Sequence, residues 1–367
     1  MGLPPSAVNA MHARLDRAPT RLTKGITLKI AGNNRLLPVQ KVTDEDFRML
    51  ACILSNNTFV TGLDLRYNVL TDVGAEHAAK FLQENATLCY FNLMFNDIGT
   101  NGAELIAKAL HRNETLQHLR MTGNKIENKG GMYFASMLQI NSTLEKLDLG
   151  DCDLEESTVH IALMMKNNSC LMELHLCKHE MKNFGVERLC DALYENHSLR
   201  YLDLSCNKIT RDGVKFLGEL LKRNQILEIL DLNSNRIEDD GAIYLSEALA
   251  LYNRTLQALA VASNNISGKG LVALSDSMKT NMVLSYIYIW GNKLDEATCV
   301  AFSDLIKTGR LKPNCTDVDP YEVDGHEYLA ELSHGLKRHY YWTPSYGEAD
   351  NKDANASLAI GAVAEHL

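Results

Sequence analysis

His175, Cys177 and His179 carry the nitrogen and sulfur donors that hold zinc and similar metals. On a strand, His175 and Cys177 would share a face, while His179 falls beyond it. A tetrahedral site needs four donors, and no second Cys/His cluster supplies the rest. The run therefore reads as structural, and no metal is expected. The nine cysteines are odd in number, scattered and without a CxxC pair, which suits reduced thiols better than a disulfide framework. Ser, His and Asp occur throughout, in no spacing that joins a nucleophile to a base and its orienting acid. A glycine-rich phosphate loop is also missing. These readings predict no catalysis, no cofactor and no small-molecule substrate.

Recognition chemistry is better represented. Tyr286, Tyr288 and Trp290 alternate, so on a strand they would stand on one face. Aromatic side chains grouped in this way anchor interfaces. They would either bind a partner or be covered by the C-terminal segment, with its Tyr340, Tyr341 and Trp342. A second stripe follows from a repeated position along the chain: Asp64, Asn92, Arg120, Asp148, His175, Asp203, Asp231, Ala260 and Tyr288. It reads either as an ordinary solvated polar face or as an acidic groove for a basic partner segment, acting mainly on association rate and specificity.

The elements that must position these side chains are repeats. The pattern apolar-x-x-apolar-x-apolar-x-x-Asn recurs, as in Leu88, Phe91, Leu93 and Asn96, or Leu199, Leu202, Leu204 and Asn207. Its central apolar residue falls at 28, 63, 91, 119, 147, 174, 202, 230, 259 and 287, with steps of 27–29 after one gap of 35. The period of two around it predicts a short strand. Two residues past the Asn comes an apolar residue, then a turn glycine (Gly74, Gly102, Gly130, Gly213, Gly241, Gly270), then helical spacing such as Ala103, Ile106, Ala107 and Leu110. Each unit is strand, turn, helix, turn. One unit is too small to bury its own apolar face, so neighbours must share a core.

The recurring asparagines Asn68, Asn96, Asn124, Asn207, Asn235, Asn264 and Asn292 are expected to form a ladder. Their amides can satisfy backbone groups where the chain leaves each strand. Cys152 and His179 interrupt it, and the glycine expected after Leu154 is absent. Residues 150–183 thus read as the most altered joint. Asn-x-Ser/Thr sequons at Asn85, Asn113, Asn141, Asn196 and Asn253 all fall at one repeat position, which explains them without glycosylation.

The pattern resembles the 28-residue repeats of the ribonuclease-inhibitor-type leucine-rich repeat family, over about residues 22–310. The resemblance rests on segments such as GITLKIAGNNR at 25–35, NLMFNDIG at 92–99, RMTGNKIENKGGM at 120–132, SLRYLDLSCNKIT at 198–210 and IYIWGNKLDEATC at 287–299, with GLKRHYYW at 335–342. It implies an α/β leucine-rich repeat solenoid, a horseshoe with a parallel concave sheet and outer helices, about ten repeats long. It also implies a non-enzymatic protein–protein interaction scaffold, nuclear or nucleolar and cytoplasmic, linked to stem-cell and germ-cell pluripotency and differentiation. Implied partners are nucleolar proteins such as nucleophosmin and nucleolin. Alternatives are a structural part of the ciliary or sperm axoneme, with axonemal partners, and a Ran-type GTPase activator or ribonuclease-inhibitor-like regulator. The tail lacks the acidic run of the activators, and the chain is poorer in Cys than the inhibitors. The resemblance further implies relatives with about one more repeat between Leu154 and Glu155, and hence a shortened chain here.

Around the array, residues 1–21 are expected to be a cap or flexible segment, with Ser6–Arg17 able to form a short amphipathic helix. Residues 311–345 are expected to cap the open end through a loop (Lys312–Asp324) and a helix (Glu327–Arg338), and 346–367 to be a flexible tail. The net charge of −9 argues against direct nucleic-acid binding. No run matches a signal peptide or a membrane span.

Overall fold

The computed structural model describes residues 25–33, 40–332 and the backbone of 355–357. It divides into two compact units, which meet between His179 and Glu180 in sequence.

In the first unit, strands β1 (Ile26–Lys29), β2 (Val60–Asp64), β3 (Tyr90–Asn92), β4 (His118–Arg120), β5 (Lys146–Asp148) and β6 (Glu173–His175) form a parallel sheet in chain order. Helices α1 (Asp44–Leu54), α2 (Asp72–Glu84), α3 (Thr100–Leu110), α4 (Glu127–Leu138) and α5 (Ser157–Met164) connect them. The second unit repeats the scheme. Its strands are β7 (Tyr201–Asp203), β8 (Ile229–Asp231), β9 (Ala258–Ala260) and β10 (Tyr286–Tyr288). Its helices are α6 (Lys182–Leu193), α7 (Arg211–Arg223), α8 (Glu238–Leu251), α9 (Gly268–Thr280) and α10 (Glu296–Lys307).

The strand register follows the repeat. Leu63, Phe91, Leu119, Leu147 and Leu174 lie side by side across the first sheet. Leu202, Leu230, Leu259 and Ile287 do so across the second. Each is buried against the helix layer, and burying one such side chain stabilises the fold by about 1.5–3 kcal/mol. The helices present a matching stripe: in α7, Val214, Leu217, Leu220 and Leu221 are buried, the spacing of one helix face. Asp212 opens that helix while Lys222 and Arg223 close it, which complements the helix dipole.

At its C-terminal end the second unit departs from the expected cap. Residues 326–331 are a strand, β12 (His326–Glu331), paired antiparallel with β11 (Val318–Val323). The helix expected over 327–338 is therefore absent from its described part, 327–332. The turn between the strands is Asp324–Gly325, with φ of 51° and 83°, the two left-handed positions that make Asp-Gly a hairpin signal. Tyr321 and Tyr328 stack across the pair at 5.5 Å. The hairpin lies on α10, where Glu327 pairs with Lys307.

In the expected flexible tail, Asn355–Ser357 adds a short strand, β13, parallel to β1. The rest of that tail, Tyr340–Trp342 and the Ser6–Arg17 segment lie outside the described residues.

Candidate interaction face and the ladders behind it

Two rows of asparagines hold the turns that frame the sheet face. In the first, Asn96 Nδ2 donates to the carbonyls of Leu65 and Leu93 at 3.0 Å, and its Oδ1 accepts the Leu70 N–H at 3.1 Å. Asn68 and Asn124 act alike in the first unit. In the second, Asn207 accepts the Met181 N–H, and Asn235, Asn264 and Asn292 bridge successive repeats. The second row holds the sequon asparagines together with Asn168, Asn224 and Asn281, a role that sequence reasoning missed although their recurrence was visible. Asn113 Nδ2 donates to the Leu82 carbonyl at 2.7 Å, and its Oδ1 accepts the Thr115 and Leu116 N–H groups. Asn85, Asn141, Asn196 and Asn253 make the corresponding turns. All five are buried, so a glycan would have to displace a structural amide. After the last repeat, Arg310 takes over this row, donating to the carbonyls of Met278, Asn281 and Leu284.

The interrupted ladder positions are filled by different chemistry. Cys152 Sγ donates to the carbonyls of Met121 and Gly150 at 3.2 and 3.3 Å. His179 imitates asparagine more fully. Its Nε2 lies 2.7 Å from the Leu149 carbonyl, and its Nδ1 accepts the Leu154 N–H at 3.3 Å, which assigns the proton to Nε2. Both ring nitrogens are thus committed to backbone, and His175 is held separately by Glu173 at 2.8 Å. Asp151, Asp153 and Glu155, then Lys178, Glu180 and Lys182, all have positive φ, a conformation that disfavours side chains by about 1–2 kcal/mol each. The first position of each trio has positive φ in other repeats too, from Tyr67 to Ser263, but among the described residues only these two turns hold three such residues. Helix α5 is the shortest of the ten described helices, at 8 residues.

Burial lowers the His179 pKa to about 4 from 6.5. The unfolded chain takes up this proton near pH 6.5 and the folded chain only near 4. The contribution is therefore complete above pH 6.5, shrinks as pH falls between those values, and is lost below about 4. The 2.5-unit difference corresponds to roughly 3 kcal/mol. Urea midpoints measured between pH 7 and 4 should fall more steeply for the native chain than for His179→Asn. Equal slopes would remove this role from His179.

On the open face of the first unit, the stripe residues Asp64, Asn92, Arg120, Asp148 and His175 are buried, which differs from the solvated groove expected. The acidic residues there have two structural jobs. Asp64, Asn92 and Asp148 each accept the N–H two residues on, from Arg66, Met94 and Gly150, turning the chain out of its strand. Their charges are then neutralised nearby. Arg120 bonds Asp148 at 2.9 Å, Arg66 lies 3.1 Å from Asp64, and Lys146 and His175 flank Glu173.

The second unit's face is different. Asp203 and Asp231 make the same turn, to the Ser205 and Asn233 N–H groups at 2.9 Å. Around them Tyr201, Ile229, Ala258, Ala260 and Tyr288 form one apolar cluster, with Tyr286 packed against it. Trp290 is half-buried at the strand end. Tyr201, Ile229 and Ala258 occupy the position two before the Asp stripe. Strand alternation would have revealed them, because that position faces the same way. The face ends at Asp317, whose carboxylate accepts the N–H groups of Ile289 and Trp290 at 2.8 and 3.1 Å.

A sequence model of the family "Leucine Rich repeat" matches residues 56–76, 84–107, 112–135, 141–156, 195–218, 223–246 and 252–275. The chain is 61% identical over 395 aligned residues to leucine-rich repeat-containing protein 34 of Mus musculus, covering 99% of this chain and 95% of that one. It is 64% identical to the Homo sapiens protein of the same name, covering 92% and 80%. The chain belongs to the leucine-rich repeat-containing protein 34 family. Its fold is the leucine-rich repeat solenoid. The matched segments omit 157–194, which holds α5 and His179. Among solved structures, the Rad7 and Elc1 complex in yeast shares 13% identity over 79% of this chain and 84% of that chain, at a TM-score of 0.42. Among the described residues, no helix of this family member is long and apolar enough to cross a membrane.

Proposed function

We propose that the chain is a protein-interaction scaffold whose recognition surface is the open sheet face of the second unit. The observation that carries this is the grouping of Tyr201, Ile229, Tyr286, Tyr288 and Trp290 with the carboxylates of Asp203 and Asp231 on β7–β10 and its exit turn. Aromatic anchors bury large areas at small entropic cost. Carboxylates beside them favour a cationic partner and reject an acidic one. The fitting ligand is a protein segment that combines basic and aromatic or aliphatic side chains. The first unit's stripe, Asp64, Asn92, Arg120, Asp148 and His175, is the weaker candidate because it lacks the apolar cluster that surrounds Asp203 and Asp231. The family resemblance extends the proposal to nucleolar partners, such as nucleophosmin and nucleolin through their basic segments, and to roles in germ-cell and stem-cell differentiation.

The test uses Asp203→Asn with Asp231→Asn, which keeps the oxygen that accepts the turn N–H and replaces the other by a neutral amide. Proximity labelling in germ cells should then lose its captured proteins several-fold, with the chain still folded by circular dichroism. Trp290→Ala, at a half-buried position, should act in the same direction. An unchanged set of captured proteins with both variants would end the proposal for this face.

A further inference from the structure

The hairpin of β11 and β12 has two unlike faces. Strand alternation and register place Val318 and Leu329 on one side, where both are buried toward α10. Asp319, Tyr321, Val323, Tyr328 and Ala330 fall on the other side. There Tyr321, Val323 and Tyr328 are 48%, 47% and 42% exposed, and the two rings stack at 5.5 Å. The charge around them is one-sided. Residues 318–331 carry Asp319, Glu322, Asp324, Glu327 and Glu331, and no Lys or Arg. Glu327 is paired with Lys307, and His326 turns to Glu296 at 3.4 Å. Among the described residues, no cation pairs with Asp319, Glu322 or Asp324. Exposed rings elsewhere in this unit are treated differently. Arg188 lies over Phe184 at 5.6 Å, Arg223 over Tyr194 at 5.4 Å and Lys222 over Tyr252 at 5.5 Å. Among the described residues, no cation stands over Tyr321 or Tyr328.

We propose that the outer face of this hairpin is a second interaction surface, and that its partner is an arginine-bearing segment of another protein. Open aromatic surface on a soluble protein marks a contact site. A guanidinium lies flat on a tyrosine ring and pairs with a carboxylate through two parallel N–H donors, which an ammonium cannot do. Asp319 supplies a carboxylate on the same face, and Asp324 one at the turn. The uniform negative charge works against the other occupants. It repels nucleic acid, an anionic membrane surface and the same face of a second copy. Strand addition along β11 is also disfavoured, because Pro320 has no N–H to offer at an edge. Recognition therefore falls to the side chains. The surface uses the hairpin alone, so this inference and the reading of the β7–β10 face stand or fall separately.

The probe is a peptide of alternating Arg and Gly, added to the full-length chain. Hydroxyl-radical oxidation of Tyr321 and Tyr328 is read against Tyr252, an exposed ring that Lys222 already occupies. The peptide should protect the two hairpin tyrosines and leave Tyr252 unchanged. The same peptide with Lys for Arg should need several-fold more. The variant Asp319→Asn, Glu322→Gln, Asp324→Asn changes only exposed side chains, and should raise the half-protecting concentration about tenfold. Removing three exposed carboxylates of the first unit, by Glu84→Gln, Asp97→Asn and Glu114→Gln, should move it by less than about twofold, since distant charges are screened. Asp203→Asn with Asp231→Asn should leave it unchanged. The proposal is overturned by equal protection of Tyr252, by a Lys peptide as effective as the Arg peptide, by equal weakening from the first-unit changes, or by unchanged protection in the hairpin variant. Sedimentation supplies the remaining arm. A native chain that dimerises, and becomes monomeric with Tyr321→Thr and Tyr328→Thr, would give the face to a second copy and overturn the proposal as well.

Discussion

Replacing Asn235 by alanine is expected to lower the unfolding free energy by roughly 4 kcal/mol, counting about 1 kcal/mol for each backbone group left without its partner. The Asn235 Oδ1 accepts the Asn207 and Ile209 N–H groups at 2.9 and 3.0 Å, and its Nδ2 donates to the Leu204 and Leu232 carbonyls at 3.0 and 2.9 Å. Alanine has no atoms to offer these four groups. The turn is too buried for water to replace them freely. Asn292→Ala is the internal comparison. It makes the same kinds of bond but is partly exposed at the last repeat, so water recovers part of the loss and its effect should be about half as large. Because repeat arrays can unfold in segments, the decisive measurement is amide exchange at Ile209. Its protection should collapse in Asn235→Ala, and equal effects at 235 and 292 would refute the burial argument.

The second large effect is electrostatic. Asp148→Ala should cost about 3–5 kcal/mol, the range for removing one partner of a buried ion pair. Asp148 Oδ2 accepts from Arg120 Nη2 at 2.9 Å and Nε at 3.3 Å, and both side chains are buried. The cost arises mainly from the guanidinium left in a poorly solvated place, so Arg120→Met with Asp148→Ala should recover more than half of it. Calorimetric or urea unfolding of the two singles and the double closes the cycle. A double variant as unstable as Asp148→Ala would show that the Gly150 turn bond, and not the stranded charge, is responsible. The exposed Arg48–Glu45 pair on α1 is the contrasting case, where water screens the charges and removing one partner costs little.

The repeat was legible because a period of 28 leaves an unambiguous trace. Each leucine position demands burial in every copy, and each ladder asparagine bridges backbone groups of its own and the preceding repeat, so composition repeats wherever geometry repeats. The altered joint was legible for the converse reason. Cys152 and His179 stand where the amide belongs, and neither side chain reproduces its full set of bonds. The helix expected from residue 327 gives way to a strand because Asp324-Gly325, with two left-handed φ values, turns the chain back locally. The aspartates of the stripe were visible in sequence, but their work was not. A carboxylate that turns its own strand and one that faces solvent look identical in one dimension.

Sequence alone therefore determined the architecture, since a solenoid's order is local: every contact that defines it joins one repeat to the next. Only the tertiary structure decided which side chains of the open face meet one another. That depends on cross-strand neighbours 27–29 residues apart, such as Arg120 beside Asp148 and Tyr201 beside Ile229. Asp148 is neutralised by Arg120 across the strands, and Asp64 by Arg66 two residues on. Asp203 and Asp231 are set among aromatic and aliphatic ones. Charge and apolar surface acquire meaning for a partner only when strands lie side by side, because Coulomb attraction and burial act through space, whatever the position along the chain.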